Sequence, residues 1–177
     1  MKFLSRMKRS VGSILIVENN LTEQMLIKTA FEAIGVQDKI YAVNDGDEAI
    51  AFLKGEGQYS DRNQFRFPTF LLTDLNMEKV NGFELLLYLK RSRMIIIPTI
   101  VFSLSCDPED IGQAYLCGAN AFHTKPANME GLRLLLKSIS DYWSQVQMPE
   151  IDEKGNLKHS AGGGKERIRH PVTMKPF

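Results

Sequence analysis

The chain has little of three things that would narrow its class at once: cysteine, long apolar runs and charge of one sign. Its two cysteines, Cys106 and Cys117, lie eleven positions apart, without a CxxC spacing or a nearby histidine, which fits neither a disulfide framework nor a zinc site. The first apolar stretch, residues 11–17, is too short for a membrane span or a secretory signal. We therefore expect reduced thiols, a cytoplasmic location and no membrane partner.

The formal net charge of +1 hides an uneven distribution. Residues 1–10 hold four basic and no acidic side chains, and residues 151–177 hold six basic and three acidic ones. The two ends together carry +7, which leaves −6 on residues 11–150. An acidic central segment argues against DNA as a partner, whereas the basic ends are either solvated or in contact with an acidic partner.

Apolar, β-rich runs alternate with helical patterns five times along the chain. This alternation is typical of repeated βα units and predicts an α/β protein with a parallel sheet. The predicted strands cover residues 13–17, 39–43, 69–73, 98–103 and 121–124, and the helices follow at 20–35, 45–53, 82–93, 107–117 and 128–145. The link at residues 56–66 is long, so we interpret it as a tolerated insertion or as a partner-contacting loop.

Polar residues stand where the predicted strands end. Glu18 and Asn19 follow the first strand, Asp74 follows the third, Ser103 ends the fourth and Lys125 follows the fifth. The carboxyl ends of the strands in an open parallel sheet converge on one crevice, so these side chains should share a pocket. Such a set suits a carboxylate that accepts a phosphoryl group beside a divalent metal.

Each of these residues also has an ordinary structural interpretation. Asp74 could attack phosphorus, or it could cap a helix or a turn. Glu18 could hold Mg²⁺ or cap the next helix. Lys125 could pair with Asp74 and then with a phosphate oxygen, or lie on the plain surface, and Ser103 could donate to a phosphate or only form a turn.

Four segments together resemble the receiver domain of two-component response regulators: ILIVENN (14–20), LLTDLNM (71–77) with Asn81-Gly82, PTIVFSLS (98–105) and GANAFHTKP (118–126). The resemblance covers roughly residues 12–147. It implies a flavodoxin-like, doubly wound sheet of five parallel strands, order 2-1-3-4-5 as in the chemotaxis receiver, with five helices. Residues 1–11 would then be a basic N-terminal tail and residues 148–177 a flexible C-terminal tail.

The resemblance implies that Asp74 takes a phosphoryl group from a phosphohistidine on a sensor histidine kinase or a histidine phosphotransfer protein, with Mg²⁺ or Mn²⁺ present. Lys125 and Ser103 would bind the phosphoryl group. The metal would be held by four groups: Glu18, Asn19, Asp74 and the backbone oxygen of Asn76. Phosphotransfer and dephosphorylation would be self-catalysed, so we do not expect an enzyme that acts on separate substrates.

Signalling in this family implies a two-state switch. Ser103 and Phe122 would move together and remodel the face made by the fourth helix, the fifth strand and the fifth helix. That face would contact a downstream protein target, or a second copy in a homodimer. Three features resemble stand-alone receivers associated with phytochromes and hybrid kinases: the long link before the third strand, the Ser-Leu-Ser segment at 103–105, and Gly118-Ala119-Asn120.

Two positions depart from the family pattern. Asn19 stands where most members have a second acidic residue, which leaves two carboxylates for the metal, and Glu78 stands where a proline is common. We therefore keep two hypotheses: a phosphorylated single-domain response regulator, and a degenerate receiver that works as a phosphorylation-independent docking module. A flavin-binding or hydrolase protein is disfavoured because the sequence has no phosphate-cradling Gly-rich loop or nucleophile elbow.

Overall fold

A single parallel sheet forms the centre of the molecule. The computed structural model describes residues 12–36, 39–92, 96–152 and 158. The strands are β1 (Ile14–Val17), β2 (Ile40–Val43), β3 (Phe70–Thr73), β4 (Thr99–Ser103) and β5 (Ala121–Thr124). All pairs are parallel, in the order β2-β1-β3-β4-β5, which confirms the predicted topology.

One helix follows each strand. They are α1 (Leu21–Ala33), α2 (Gly46–Lys54), α3 (Gly82–Arg91), α4 (Pro108–Cys117) and α5 (Met129–Trp143). Each begins after a residue whose side chain accepts hydrogen bonds from the first turn: Asn20, Asp45, Asn81, Asp107 and Asn128. These caps fix the turns from strand to helix, and so they position the strand ends that carry the polar residues.

The sheet is covered on both faces, because alternate strand residues point to opposite sides. In β1, Ile14 and Ile16 belong to the cluster packed with α1 and α5, whereas Leu15 and Val17 belong to the cluster packed with α2 and α3. All four are at most 1% exposed. Among the described residues, no helix is long and apolar enough to cross a membrane.

The long link before β3 is folded against the core. Tyr59, which is 7% exposed, and Phe65 pack with Phe52 of α2 in one aromatic cluster. Arg62 donates to the carbonyl oxygens of Phe52 and Leu53 at the end of α2, at 2.8 and 2.6 Å. The link is therefore part of the packed domain.

Some of the segments predicted from the sequence lie outside the described residues. The predicted basic tail at residues 1–11 and nearly all of the predicted C-terminal tail after residue 152 lie outside the described residues. The third helix was expected to include Arg93, but it ends at Arg91, with Ser92 as its C-cap, and Arg93 itself lies outside the described residues.

Candidate phosphoacceptor site

Polar residues from three strand ends meet at the carboxyl edge of the sheet. Val17 pairs with Thr73 in the parallel register, so Glu18 and Asp74 emerge side by side from β1 and β3. Lys125, which directly follows β5, reaches both of them. The convergence of polar side chains expected from the sequence therefore exists at this edge.

Lys125 is the centre of a buried ionic cluster. Its Nζ lies 2.6 Å from Oε2 of Glu18, 2.7 Å from Oδ2 of Asp74 and 2.5 Å from Oε2 of Glu23. The side chains of Lys125, Glu18 and Asp74 are 7, 3 and 10% exposed, and that of Glu23 is 29% exposed. One ammonium thus bridges three carboxylates: two that directly follow β1 and β3, and one in α1.

Glu23 is a member of the site that sequence reasoning missed. It lies in the first turn of α1 and not at a strand end, so the strand-end argument passes over it. The sequence led us to expect two carboxylates here, and the structure brings a third beside them, because α1 begins next to the cluster. A sequence signal was present in the Asn20-x-x-Glu23 spacing, but that spacing also fits a simple helix cap.

The cluster sets the ionisation of its members. Burial would raise the pKa of Asp74, but hydrogen bonds from Lys125 and Ser103 and from the Leu75 N–H outweigh it and hold that pKa below its ordinary value. For Glu18, burial dominates and raises the pKa, although Lys125 opposes the shift. The three carboxylates raise the pKa of Lys125 despite its burial. Asp74 is therefore an ionised carboxylate facing a charged lysine.

The backbone also contacts the acceptor. Oδ1 of Asp74 accepts from the N–H of Leu75 at 2.6 Å and more weakly from that of Asn76 at 3.4 Å. Gly82 allows α3 to start against this turn, because a Cβ there would lie 2.2 Å from the Asp74 carbonyl oxygen. The Asn81-Gly82 pair thus has a local reason: a cap followed by a residue without a side chain.

The other sequence-predicted residues differ in their burial. Ser103 is fully buried at the end of β4, and its side chain helps to lower the pKa of Asp74. Phe122 is half-buried and packs against the cluster that includes Leu75 and Ala114 of α4. Asn19 and Asn76, predicted to bind the metal, are exposed. Glu78, which stands where the family commonly has a proline, is exposed as well.

A divalent cation suits this set of donors. One carboxylate oxygen from each of Glu18, Glu23 and Asp74 lies within 4.8 Å of the other two. Carboxylate oxygens are the hard ligands that Mg²⁺ and Mn²⁺ prefer. When ionised, the three acids and Lys125 sum to −2, a charge that one divalent ion balances. The residues present therefore fit the metal that the fold implies.

Known proteins are similar to this chain in sequence and fold. A sequence model of the family described as "Response regulator receiver domain" matches residues 14–137. The chain therefore belongs to the response regulator receiver domain family of two-component signalling. It is 35% identical to a probable methanogenesis regulatory protein, FilR2, of Methanothrix harundinacea, over 73% of this chain and 82% of that protein.

Two solved structures extend the comparison. The phosphorylated cyanobacterial phytochrome response regulator RcpA is similar with a TM-score of 0.68 and 32% identity, over 77% of this chain and 96% of that one. The Mn²⁺-bound form of Rcp1, a response regulator of Synechocystis sp., has a TM-score of 0.67 and 26% identity, over 78% and 99%. Both resemble this chain over nearly their whole length, as expected for stand-alone receivers.

Proposed function

We propose that this protein is a single-domain response regulator in which Asp74 accepts a phosphoryl group from a phosphohistidine. The donor would be a sensor histidine kinase or a histidine phosphotransfer protein in the cytoplasm. The observation that carries the proposal is the Asp74 carboxylate, kept ionised against Lys125 in a nearly closed cluster at the sheet edge. The similarity to RcpA, described as phosphorylated, supports it.

Phosphoryl transfer to Asp74 would require mainly that the reacting groups are correctly positioned and that the negative charge on the phosphoryl oxygens is stabilised. An Asp74 oxygen would form a bond to phosphorus while the phosphorus–nitrogen bond to the donor histidine breaks, and the imidazole keeps the electron pair. Lys125, already 2.7 Å from Asp74, would move onto a phosphoryl oxygen, and the Ser103 hydroxyl would donate to another. The receiver would thus catalyse its own phosphorylation and, later, the hydrolysis of the bond between phosphorus and Asp74, which returns the carboxylate and releases phosphate.

Mg²⁺ or Mn²⁺ would supply the charge that balances the incoming phosphoryl group. Glu18 and Asp74 would hold it, with Asn19 and the Asn76 backbone oxygen as further ligands. The description of Rcp1 as Mn²⁺-bound supports a divalent ion in a similar receiver.

The output would be a change in the α4-β5-α5 face. Ser103 connects Asp74 to β4, and Phe122 lies on β5 next to the apolar cluster under α4. Two large exposed side chains, Tyr115 and Leu116, lie on α4 itself. A shift of Ser103 toward the phosphate would therefore change the packing of the α4-β5-α5 face, which could contact a downstream protein or a second copy in a homodimer.

The alternative is a docking module that never takes phosphate, which the uncharged, exposed Asn19 favours. Incubation with acetyl phosphate and Mg²⁺, followed by intact mass measurement, separates the two. We expect a labile adduct of one phosphoryl group in the wild type and in the control Asp47→Asn, an exposed acid of α2, and none in Asp74→Asn. No adduct in the wild type would support the docking module, and an adduct in Asp74→Asn would exclude this acceptor.

A further inference from the structure

Two helices of this protein begin with the same local pattern, an asparagine cap followed three positions later by a glutamate. In α3 the pattern forms a complete capping box. Asn81 accepts from the N–H of Glu84 at 3.0 Å, and the Glu84 carboxylate accepts from the N–H of Asn81 at 2.9 Å. This is what the spacing alone predicts, and it uses both side chains for the helix.

In α1 the same spacing gives a different result. Asn20 caps the N–H groups of Thr22 and Glu23, but its own N–H donates to Oε1 of Glu18, at 3.0 Å. Glu23 turns away from the cap and contacts Lys125. Helix capping therefore accounts for Glu84, but it does not account for where the Glu23 carboxylate lies.

The carboxylate of Glu23 lies where the site lacks a second acidic group after β1. Asn19 carries no charge and is exposed, so the turn after β1 offers only one carboxylate, that of Glu18. Glu23 brings a second one from α1, with an oxygen within 4.8 Å of those of Glu18 and Asp74. At 29% exposure, it is the most accessible carboxylate of the cluster and lies on the side open to solvent.

We propose that Glu23 is a ligand of the divalent cation and replaces the acidic group that position 19 lacks. The inference rests on the proposed function, because it concerns the same cation site. It adds a residue in a helix to a set otherwise drawn from strand ends. It also removes the conflict between an uncharged Asn19 and a site that must bind a divalent ion.

The test is Mn²⁺ affinity, measured on the full chain by electron paramagnetic resonance of the free ion. We expect Glu23→Gln to weaken binding at least about tenfold, since even groups behind the ligands typically change metal affinity by ~10–100-fold. The matched control is Glu84→Gln, which removes the same residue type at the same helix position after the same capping residue. It should leave the affinity within about twofold of the wild type.

A second variant separates ligation from damage to α1. In Glu23→Gln combined with Asn19→Asp, the restored acid in the β1–α1 turn should recover most of the lost affinity. Equal affinity in Glu23→Gln and the wild type, or a loss that Asn19→Asp does not recover, would overturn the inference and leave the proposed function standing. No Mn²⁺ binding by the wild type would instead count against the metal in the proposed function, and against this inference with it.

Discussion

At the scale of single residues, Lys125 determines the electrostatics of the site. It contacts three carboxylates, and its side chain is 7% exposed. Solvent therefore screens its charge only weakly, and the carboxylates keep the ammonium protonated. Removing it would leave Glu18, Glu23 and Asp74 facing one another in a mostly buried place. The cost of an unpaired buried charge is far larger than that of a broken surface pair.

We therefore expect Lys125→Ala to lower the free energy of unfolding by about 3–5 kcal/mol in EDTA at neutral pH. The matched control is Lys137→Ala. Lys137 also pairs with an acid, Asp141, but the two are 48 and 56% exposed, so its loss should cost less than about 1 kcal/mol. Urea denaturation of both variants measures the difference, and equal costs would show that the Lys125 cluster stabilises the fold no more than an exposed ion pair does.

At the scale of elements, α2 is fixed at both ends: Asp45 caps its start, and the link before β3 contacts its end. The caps set where each helix begins after its strand. The link closes the far end of α2, where Arg62 donates to the carbonyl oxygens of Phe52, Leu53 and Phe65. In the last turn of α2, where a helix has few backbone donors left for its carbonyl oxygens, this charged donor bonds Leu53 and adds to the bond that Phe52 already accepts from the Gly55 N–H.

Replacing Arg62 by alanine should destabilise the protein by about 2–3 kcal/mol, because hydrogen bonds from a charged group to partly buried carbonyls are lost. Arg66→Ala in the same link is the control. Its side chain is exposed, and the bond that this residue makes to the Tyr41 hydroxyl comes from the backbone N–H, so we expect a change within about 0.5 kcal/mol. Thermal or urea unfolding measures both variants. An unchanged free energy of unfolding in Arg62→Ala would mean that the link folds without the hydrogen bonds of Arg62.

At the scale of the whole molecule, binding of a cation at the proposed site would be linked to folding. The ionic cluster forms only when β1, β3, β5 and α1 have come together, so an unfolded chain offers no comparable site. A ligand that binds only the folded state stabilises it by mass action.

Mg²⁺ at ~100 times its dissociation constant should raise the free energy of unfolding by about 2.7 kcal/mol. For a chain of this size, that is a rise in Tm of roughly 5–10 °C over the value in EDTA. Differential scanning calorimetry at constant ionic strength measures it, with NaCl in place of MgCl₂ as the control. Glu18→Gln should lose most of the shift, and the same Tm in Mg²⁺ and EDTA would argue against a cation site.

The sequence predicted the elements well because their signals are local. Apolar runs, caps such as Asn20 and Asp107, and stops such as Gly35 placed each of the five strands and five α-helices of the described residues within a few residues. The convergence of Glu18, Asp74 and Lys125 was also predictable, since parallel strands bring their carboxyl ends to one edge. The sequence did not reveal the short 3₁₀ helix at Gly57–Tyr59, whose geometry depends on aromatic packing against α2.

Only the tertiary structure decided the use of Glu23. Its sequence pattern is the same as that of Glu84, yet one glutamate caps its helix and the other contacts a lysine. The difference arises because Glu18 takes the free N–H at the start of α1, while Lys125, 102 positions further along the chain, attracts the Glu23 carboxylate. Local sequence specifies which bonds a side chain can make, but the choice between them depends on charges that only folding brings near.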